Sequence, residues 1–365
     1  MNTFVVTATR SMRKYAFRVT EHLKKFPSLV SMADSIDGTD MLSVDRFADG
    51  EMEVSVSRSV RGKDVFLFAS CARNEANLSV DEAKLELYHA VDAVKRSQAR
   101  NIIVFEPFIS CSRSDRTTRR NSVGLWIHFK TLSTLGAGHI LTYQLHSKIS
   151  QSMLDPTLCT MDDIRALNLM EKYLCDNYIR DLETLETVVR PRWAFCSVDA
   201  GGENHVRNFA NAFGAQLVVA HKQRDYSKIN TVNSINILSA EPVEGKILWI
   251  VDDLVDTASS VESLIRALAR FKPAELNIIA VHALFSPPAA ERLNQLFREG
   301  LLNRLLITDS VCPISFRDKL PFFEVVSSAE LSAQLIRTLV TNEPMSELMK
   351  SFNAEEYLKT SGLFG

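Results

Sequence analysis

Near-continuous apolar runs of six to nine residues recur along the chain, separated by stretches whose apolar positions repeat every three to four residues. The runs at 65–70, 101–107, 139–145, 193–199, 215–221, 247–253, 277–285 and 305–310 read as strands covered on both faces, as parallel sheets require. Between them, 81–99 places Leu85, Tyr88 and Val91 along one helical stripe, and 261–271 does the same with Leu264, Ile265 and Leu268. This alternation predicts the α/β class, with mostly parallel sheets flanked by helices in two tandem halves. The expected division is 1–160 and 161–314, with about 315–365 packing on the first half. Residues 155–192 read as a helical link with little strand signal, and the chain after Asp318 reads as helix with a frayed tail.

Composition changes this picture mainly by exclusion. A chain of 365 residues with 46% hydrophobic content buries enough apolar surface for two domains without staples. Lysine and arginine number 42 against 44 acidic residues, a net charge of −2, so there is no overall attraction to nucleic acid or anionic lipid. A phosphate-binding site must then be local, and 113–120, with four arginines and one aspartate, is one basic loop suited to polyphosphate. The six cysteines stand singly, without the paired spacing of a metal or redox site, and are expected as buried thiols. Arg10, Arg13 and Lys14 follow the first apolar run, the wrong order for a secretory signal. No run reaches the roughly 18 apolar residues of a membrane span. A cytoplasmic enzyme without nucleic-acid or membrane partners is expected.

The strongest chemical signal is ILWIVDDLVDTASSVESLIRAL, from 247 to 268. A buried strand runs into Asp252, Asp253 and Asp256, then into Thr257, Ala258, Ser259 and Ser260 at a helix start. Backbone N–H groups there can bind phosphate, with the hydroxyls of Thr257, Ser259 and Ser260 as further donors. Asp252 and Asp253 can hold vicinal ribose hydroxyls directly or through Mg²⁺. Capping by Asp256 or Thr257 would explain the helix start but not two further carboxylates at the end of an apolar strand.

This stretch resembles the phosphoribosyl-diphosphate loop of type I phosphoribosyltransferases, and the chain as a whole resembles the ribose-phosphate diphosphokinases. RFADGE (46–51), SVRGKDVFLF (59–68), ELYHAVDAVKRSQARNIIVFEPF (86–108), SRSDR (112–116), LHS (145–147), SVDAGGENHVR (197–207), HKQR (221–224), VDDLVDT (251–257) and ITDS (307–310) occur in that family's order. The resemblance implies two tandem phosphoribosyltransferase-like domains and transfer of the diphosphoryl group of ATP to the C1 hydroxyl of ribose 5-phosphate, with Mg²⁺ as cofactor. It implies that Lys222 and Arg224 are the catalytic cations at the start of a long mobile loop, and that Phe47, Asp49 and Glu51 bind adenine. Arg113, Asp115 and Arg116 approach the nucleotide. His146 and Asp199 are implied as metal ligands beside MgATP, and Asp252, Asp253, Asp256, Thr257, Ala258, Ser259 and Ser260 form the ribose 5-phosphate loop. A homo-oligomer, a dimer or dimer-based hexamer, is implied by an adenine site shared between subunits.

Four positions depart from the family. Gln144 stands where D-L-H has its aspartate, Ser114 where R-Q-D has its glutamine, Gln223 where K-R-R has its middle arginine, which leaves both cations intact, and Ser259 where the phosphate loop has glycine, adding a Cβ where the backbone needs either a positive φ or a close approach to phosphate. Two readings remain open: an active enzyme retaining Lys222 and Arg224, or a non-catalytic homologue that binds nucleotide or product and regulates a partner. A phosphoribosyltransferase acting on nucleobases would not need RFADGE or the other nucleotide motifs of the first half.

Overall fold

A computed structural model describes residues 3–35, 40–72, 76–117, 119–198, 201–224, 232–311 and 320–361, with backbone alone at 34–35, 222–224 and 232–234. The chain divides into two compact units, one from Met1–Arg165, Ser310–Cys312 and Ser327–Met349, the other from Ala166–Asp309, Pro313–Val326 and Lys350–Gly365.

The first unit is built on strands β1 (Phe4–Ala8), β2 (Ala33–Ser35), β3 (Leu42–Arg46), β4 (Met52–Val56), β5 (Asp64–Phe68), β6 (Asn101–Phe105), β7 (His139–Tyr143) and β8 (Thr160–Ile164). Six of these form one all-parallel sheet in the order β2-β1-β5-β6-β7-β8, while β3 and β4 form a separate antiparallel ribbon. Both sheet faces are covered, which is why its strands read as apolar runs. Val65 and Leu67 pack into a core with Leu87, Val91 and Val94 of the helix Val80–Arg96 and with Phe129 and Leu132 of the helix Gly124–Leu135. On the opposite parity, Phe68 stacks on Phe105 at 4.6 Å and lies 5.7 Å from Tyr15. The helix Ala329–Thr341 returns to this unit, where the hydroxyls of Tyr15 and Tyr143 lie 2.7 and 2.6 Å from that of Ser332.

The helix Val80–Arg96 starts on a capping box: the Ser79 hydroxyl accepts the Glu82 N–H, and the Glu82 carboxylate accepts the Ser79 N–H. Two orphan donors are thus satisfied reciprocally.

The second unit holds β9 (Trp193–Ser197), β10 (Gln216–Arg224), β11 (Val232–Ser239), β12 (Ile247–Val255), β13 (Glu275–Ala283), β14 (Arg304–Thr308) and β15 (Phe323–Val326). They form one sheet in the order β11-β10-β9-β12-β13-β14-β15, parallel except for the β10–β11 pair. Alanines and aliphatics of β9, β12, β13 and β14 face Leu264, Ile265 and Leu268 of the helix Ser259–Ala269 and Leu293 and Leu296 of the helix Ala289–Arg298. The alternate residues form an aromatic layer, with Trp193 5.6 Å from Trp249 and Phe195 stacked 5.4 Å from Phe213.

All eight runs expected as strands are strands. Three expectations need correction. The supposed helical link 155–192 begins with β8, whose sequence TMDDI alternates too weakly to signal a strand; helical turns follow only from Leu167. The C-terminal segment contains β15 before its helices. Part of the supposed long loop after Arg224 is β11, which extends the sheet by antiparallel pairing with β10, Lys222 opposite Ile235 and Arg224 opposite Val232. Of the cysteines, Cys71, Cys159, Cys175 and Cys196 are buried free thiols, Cys111 is half-buried, and Cys312 lies outside the described residues.

Candidate active site

β12 is the central strand of the seven-stranded sheet, and its carboxyl end carries the acidic turn. The strand runs two residues further than its apolar run, to Val255, so Asp252 and Asp253 lie within it: Asp252 is opposite Ala280, and after Asp253 the pairing resumes with Leu254 opposite His282 and Val255 opposite Ala283. Apolar covering stops there: Val251 is buried, whereas Asp252, Asp253, Asp256 and Thr257 are half-buried. The Asp252 carboxylate accepts the backbone N–H of Asp253 at 2.9 Å.

Ala258 follows in the left-handed region, φ 59 and ψ 7, and is itself buried. The chain then enters the helix Ser259–Ala269 with Ala258 at the capping position, which offers no side-chain acceptor of its own. Ser259 and Ser260 are exposed in the first turn, where helix N–H groups and the dipole favour an anion. The positive φ is borne by Ala258, one residue before Ser259, which sits in helical backbone; of the two demands at the glycine position, only a close approach to phosphate remains for Ser259. The sequence also gives no sign of Arg292, which donates to the Thr257 carbonyl at 2.9 Å and pairs with Glu262 at 3.4 Å, tying the turn to the helix behind it. Next to β12, the Ser197 hydroxyl at the end of β9 is buried without a hydrogen-bond partner among the described residues. Asp199 lies outside the described residues, as do the side chains of Lys222 and Arg224; the backbone of both cations belongs to β10.

In the first unit, Phe47, Asp49 and Glu51 are gathered at the tip of the β3–β4 ribbon. Phe47 N–H donates to the Glu51 carbonyl at 2.9 Å, Gly50 adopts φ 96, and the Asp49 carboxylate accepts the Glu51 N–H at 3.1 Å. These bonds close the turn and leave the Phe47 ring 56% exposed, available for stacking.

Arg113, Asp115 and Arg116 follow β6, and His146 follows its neighbour β7, so both groups belong to the carboxyl edge of one sheet. Cys111 turns the chain with φ 63, and Arg113 and Arg116 are exposed beyond it. Ser114 turns inward: its hydroxyl accepts the Gly124 N–H at 3.0 Å and its carbonyl the Leu125 N–H at 3.2 Å. The serine at this position thus closes the base of the basic loop. Lys84 Nζ lies 2.8 Å from Cys111 Sγ.

Beneath the loop, Glu106 and His128 are fully buried, with His128 Nε2 2.8 Å from a Glu106 carboxylate oxygen and Tyr88 Oη 2.9 Å from His128 Nδ1. Burial, with the Glu106 charge, holds the Tyr88 hydroxyl well above its ordinary pKa. It therefore stays protonated, at one end of a hydrogen-bonded chain that runs through His128 to Glu106. Sequence reading passed over this chain because its three members lie on different elements.

His146 is exposed, two residues after Gln144, which adopts φ 47 and is buried. The Gln144 N–H donates to the Ile164 carbonyl at 3.0 Å, and the Leu145 N–H to the Asp163 carboxylate at 2.9 Å. Burial raises the Asp163 carboxyl to about 6, against the opposing pull of the Leu145 N–H and Lys148.

Residues 4–136 match the family model of the N-terminal domain of ribose phosphate pyrophosphokinase, and residues 184–297 that of the phosphoribosyl transferase domain. The ribose-phosphate pyrophosphokinase of Fusobacterium nucleatum is 30% identical over 306 residues, covering 84% of this chain and 89% of the relative. That of Prochlorococcus marinus is 32% identical over 308 residues and covers 84% of each. The solved phosphoribosylpyrophosphate synthetase of Mycobacterium smegmatis has the same fold, with a TM-score of 0.76 at 24% identity over 93% of this chain and 100% of that one. With two phosphoribosyltransferase-like α/β units in this order and relatives aligned over most of their length, the chain belongs to the ribose-phosphate pyrophosphokinase family.

Proposed function

We propose that the protein transfers the diphosphoryl group of ATP to the C1 hydroxyl of ribose 5-phosphate, giving phosphoribosyl diphosphate and AMP. The C1 oxygen forms a bond to the β-phosphorus as the bond from that phosphorus to the oxygen retained by AMP breaks, and the hydroxyl proton leaves to solvent. The observation that carries this reading is the Asp252–Ser260 turn at the centre of the second sheet, in a chain of this family. There the first amides of the helix Ser259–Ala269 receive the 5-phosphate, with the hydroxyls of Thr257, Ser259 and Ser260, while Ala258 supplies the sharp turn. Asp252, Asp253 and Asp256 take the ribose hydroxyls.

ATP falls to the first unit, with Phe47 stacking on adenine, Asp49 and Glu51 accepting from its amine, and Arg113, Asp115 and Arg116 at the phosphates. Lys222 and Arg224 neutralise charge that develops on the transferring group. The adjacent half-buried carboxylates of Asp252 and Asp253 suit a hard cation. Asp252, Asp253, His146 and Asp199 are the residues that would hold Mg²⁺, which when bound neutralises phosphate charge. An adenine site on an exposed ribbon supports assembly of several copies. Among the described residues no helix is long and apolar enough to cross a membrane, and we place the enzyme in the cytoplasm.

Incubation with ribose 5-phosphate, MgATP and buffer tests this directly. AMP and phosphoribosyl diphosphate are expected in equal amounts; release of ADP, or no turnover over a range of magnesium and phosphate concentrations, would rule the reaction out. Lys222→Ala should reduce kcat by about 100-fold or more and leave ribose 5-phosphate binding intact, as expected of a group acting in the transition state.

A further inference from the structure

The turn carrying His146 hangs from β8 by two bonds of different kinds. The Gln144 N–H continues the β7–β8 ladder by one step, donating to the Ile164 carbonyl. Gln144 then takes φ 47, a region that costs an L-residue about 1 kcal/mol or more, and the chain leaves the ladder. The next amide, that of Leu145, has no strand carbonyl to meet and donates to Oδ1 of Asp163 at 2.9 Å. A bond to a carboxylate is stronger than the ladder bond it replaces. The other carboxylate of β8, Asp162, is engaged elsewhere, 3.2 Å from His139 Nε2. The bonded Leu145 amide belongs to the planar Gln144–Leu145 peptide, so this bond anchors the backbone one residue before His146.

We propose that Asp163 is the positioning residue of His146: its carboxylate, bonded to the Leu145 amide, aims the imidazole at the metal and nucleotide. This rests on the reading of His146 as a ligand given above. The sequence supplies no hint of it, because Asp163 belongs to a strand hidden in an apparent linker.

Initial rates of the full-length protein, measured against free Mg²⁺, MgATP and ribose 5-phosphate, test it in four variants. Asp163→Ala, and the β-branched Asp163→Val in case the alanine variant does not fold, should raise the half-saturating Mg²⁺ concentration and the KM for MgATP by about tenfold, as loss of an orienting partner does. The KM for ribose 5-phosphate should stay unchanged. Asp163→Asn keeps an acceptor oxygen and should come back to within about threefold of the parent. His146→Ala must move the same two constants. If it moves neither, the His146 reading fails. If it moves them and Asp163→Ala and Asp163→Val do not, or if these shift all three constants alike, Asp163 is merely structural and the proposal is overturned.

Discussion

The Ser114 hydroxyl accepts the backbone hydrogen of Gly124 at 3.0 Å, so the helix Gly124–Leu135 is capped by a residue ten positions before it. Val123, at the usual capping position, contributes no side-chain bond. Ser114→Ala should therefore cost about 1 kcal/mol, as loss of a helix cap does, visible as a lower melting temperature. The same change frees the base of the loop bearing Arg113 and Arg116, so the KM for MgATP should rise while that for ribose 5-phosphate does not. Equal KM values for parent and variant would separate the cap from the nucleotide site.

The Tyr88–His128–Glu106 chain makes a second prediction. Removing the imidazole leaves a fully buried carboxylate without the partner it faces, so His128→Ala should destabilise the first unit by about 3–5 kcal/mol. Tyr88→Phe removes a single hydroxyl donor and should cost about 1 kcal/mol. Urea denaturation followed by tryptophan and far-UV signals would distinguish the two; comparable small losses in both variants would show that buried Glu106 does not depend on the imidazole.

The third concerns pH. The Asp163 carboxyl rises from 3.8 to about 6 in the fold, so the folded state holds this proton more tightly than the unfolded chain. Its contribution to stability is complete below about pH 4 and is lost as pH rises through about 6, a swing of about 3 kcal/mol at most. Asp163→Asn cannot ionise. Its melting temperature relative to the parent should increase between pH 4 and 6 and then level off; a difference that does not vary with pH would refute this.

A fourth follows from the backbone at Ala258. Glycine takes φ 59 without steric cost, while gaining freedom when unfolded; Ala258→Gly should thus change stability by less than about 1 kcal/mol and leave the ribose 5-phosphate KM near that of the parent. Ala258→Val places a β-branched side chain at a buried left-handed position, and should raise that KM by about tenfold or more by distorting the turn. Unaltered sugar-phosphate kinetics in the valine variant would show that the turn is not a binding element.

The parts of the molecule legible in the sequence are those in which one short segment contains the whole signal. β5, β6, β9, β12 and β13 are buried on both faces and read as apolar runs, and the strand, acidic turn and helix from 247 to 269 lie within a single stretch. The illegible parts depend on partners far apart in the chain. β8 is held by pairing with β7 despite its polar sequence, Arg292 reaches Thr257 across 35 positions, and Ser114 finds its role only where Gly124 is folded against it. The left-handed conformation of Ala258 is not legible either, because composition marks an unusual turn without marking which residue bears the positive φ.

The place of β8 has one more consequence. It is the outermost strand on its side of the six-stranded sheet, so one row of its main-chain groups faces outward, where another molecule's strand could add. Long, flat, apolar edges invite such growth into aggregates, and short charged ones discourage it. Thr160–Ile164 is five residues long and carries adjacent aspartates at 162 and 163. The polarity that hides this strand from sequence reading thus belongs to its place as the short end strand of an otherwise apolar parallel sheet.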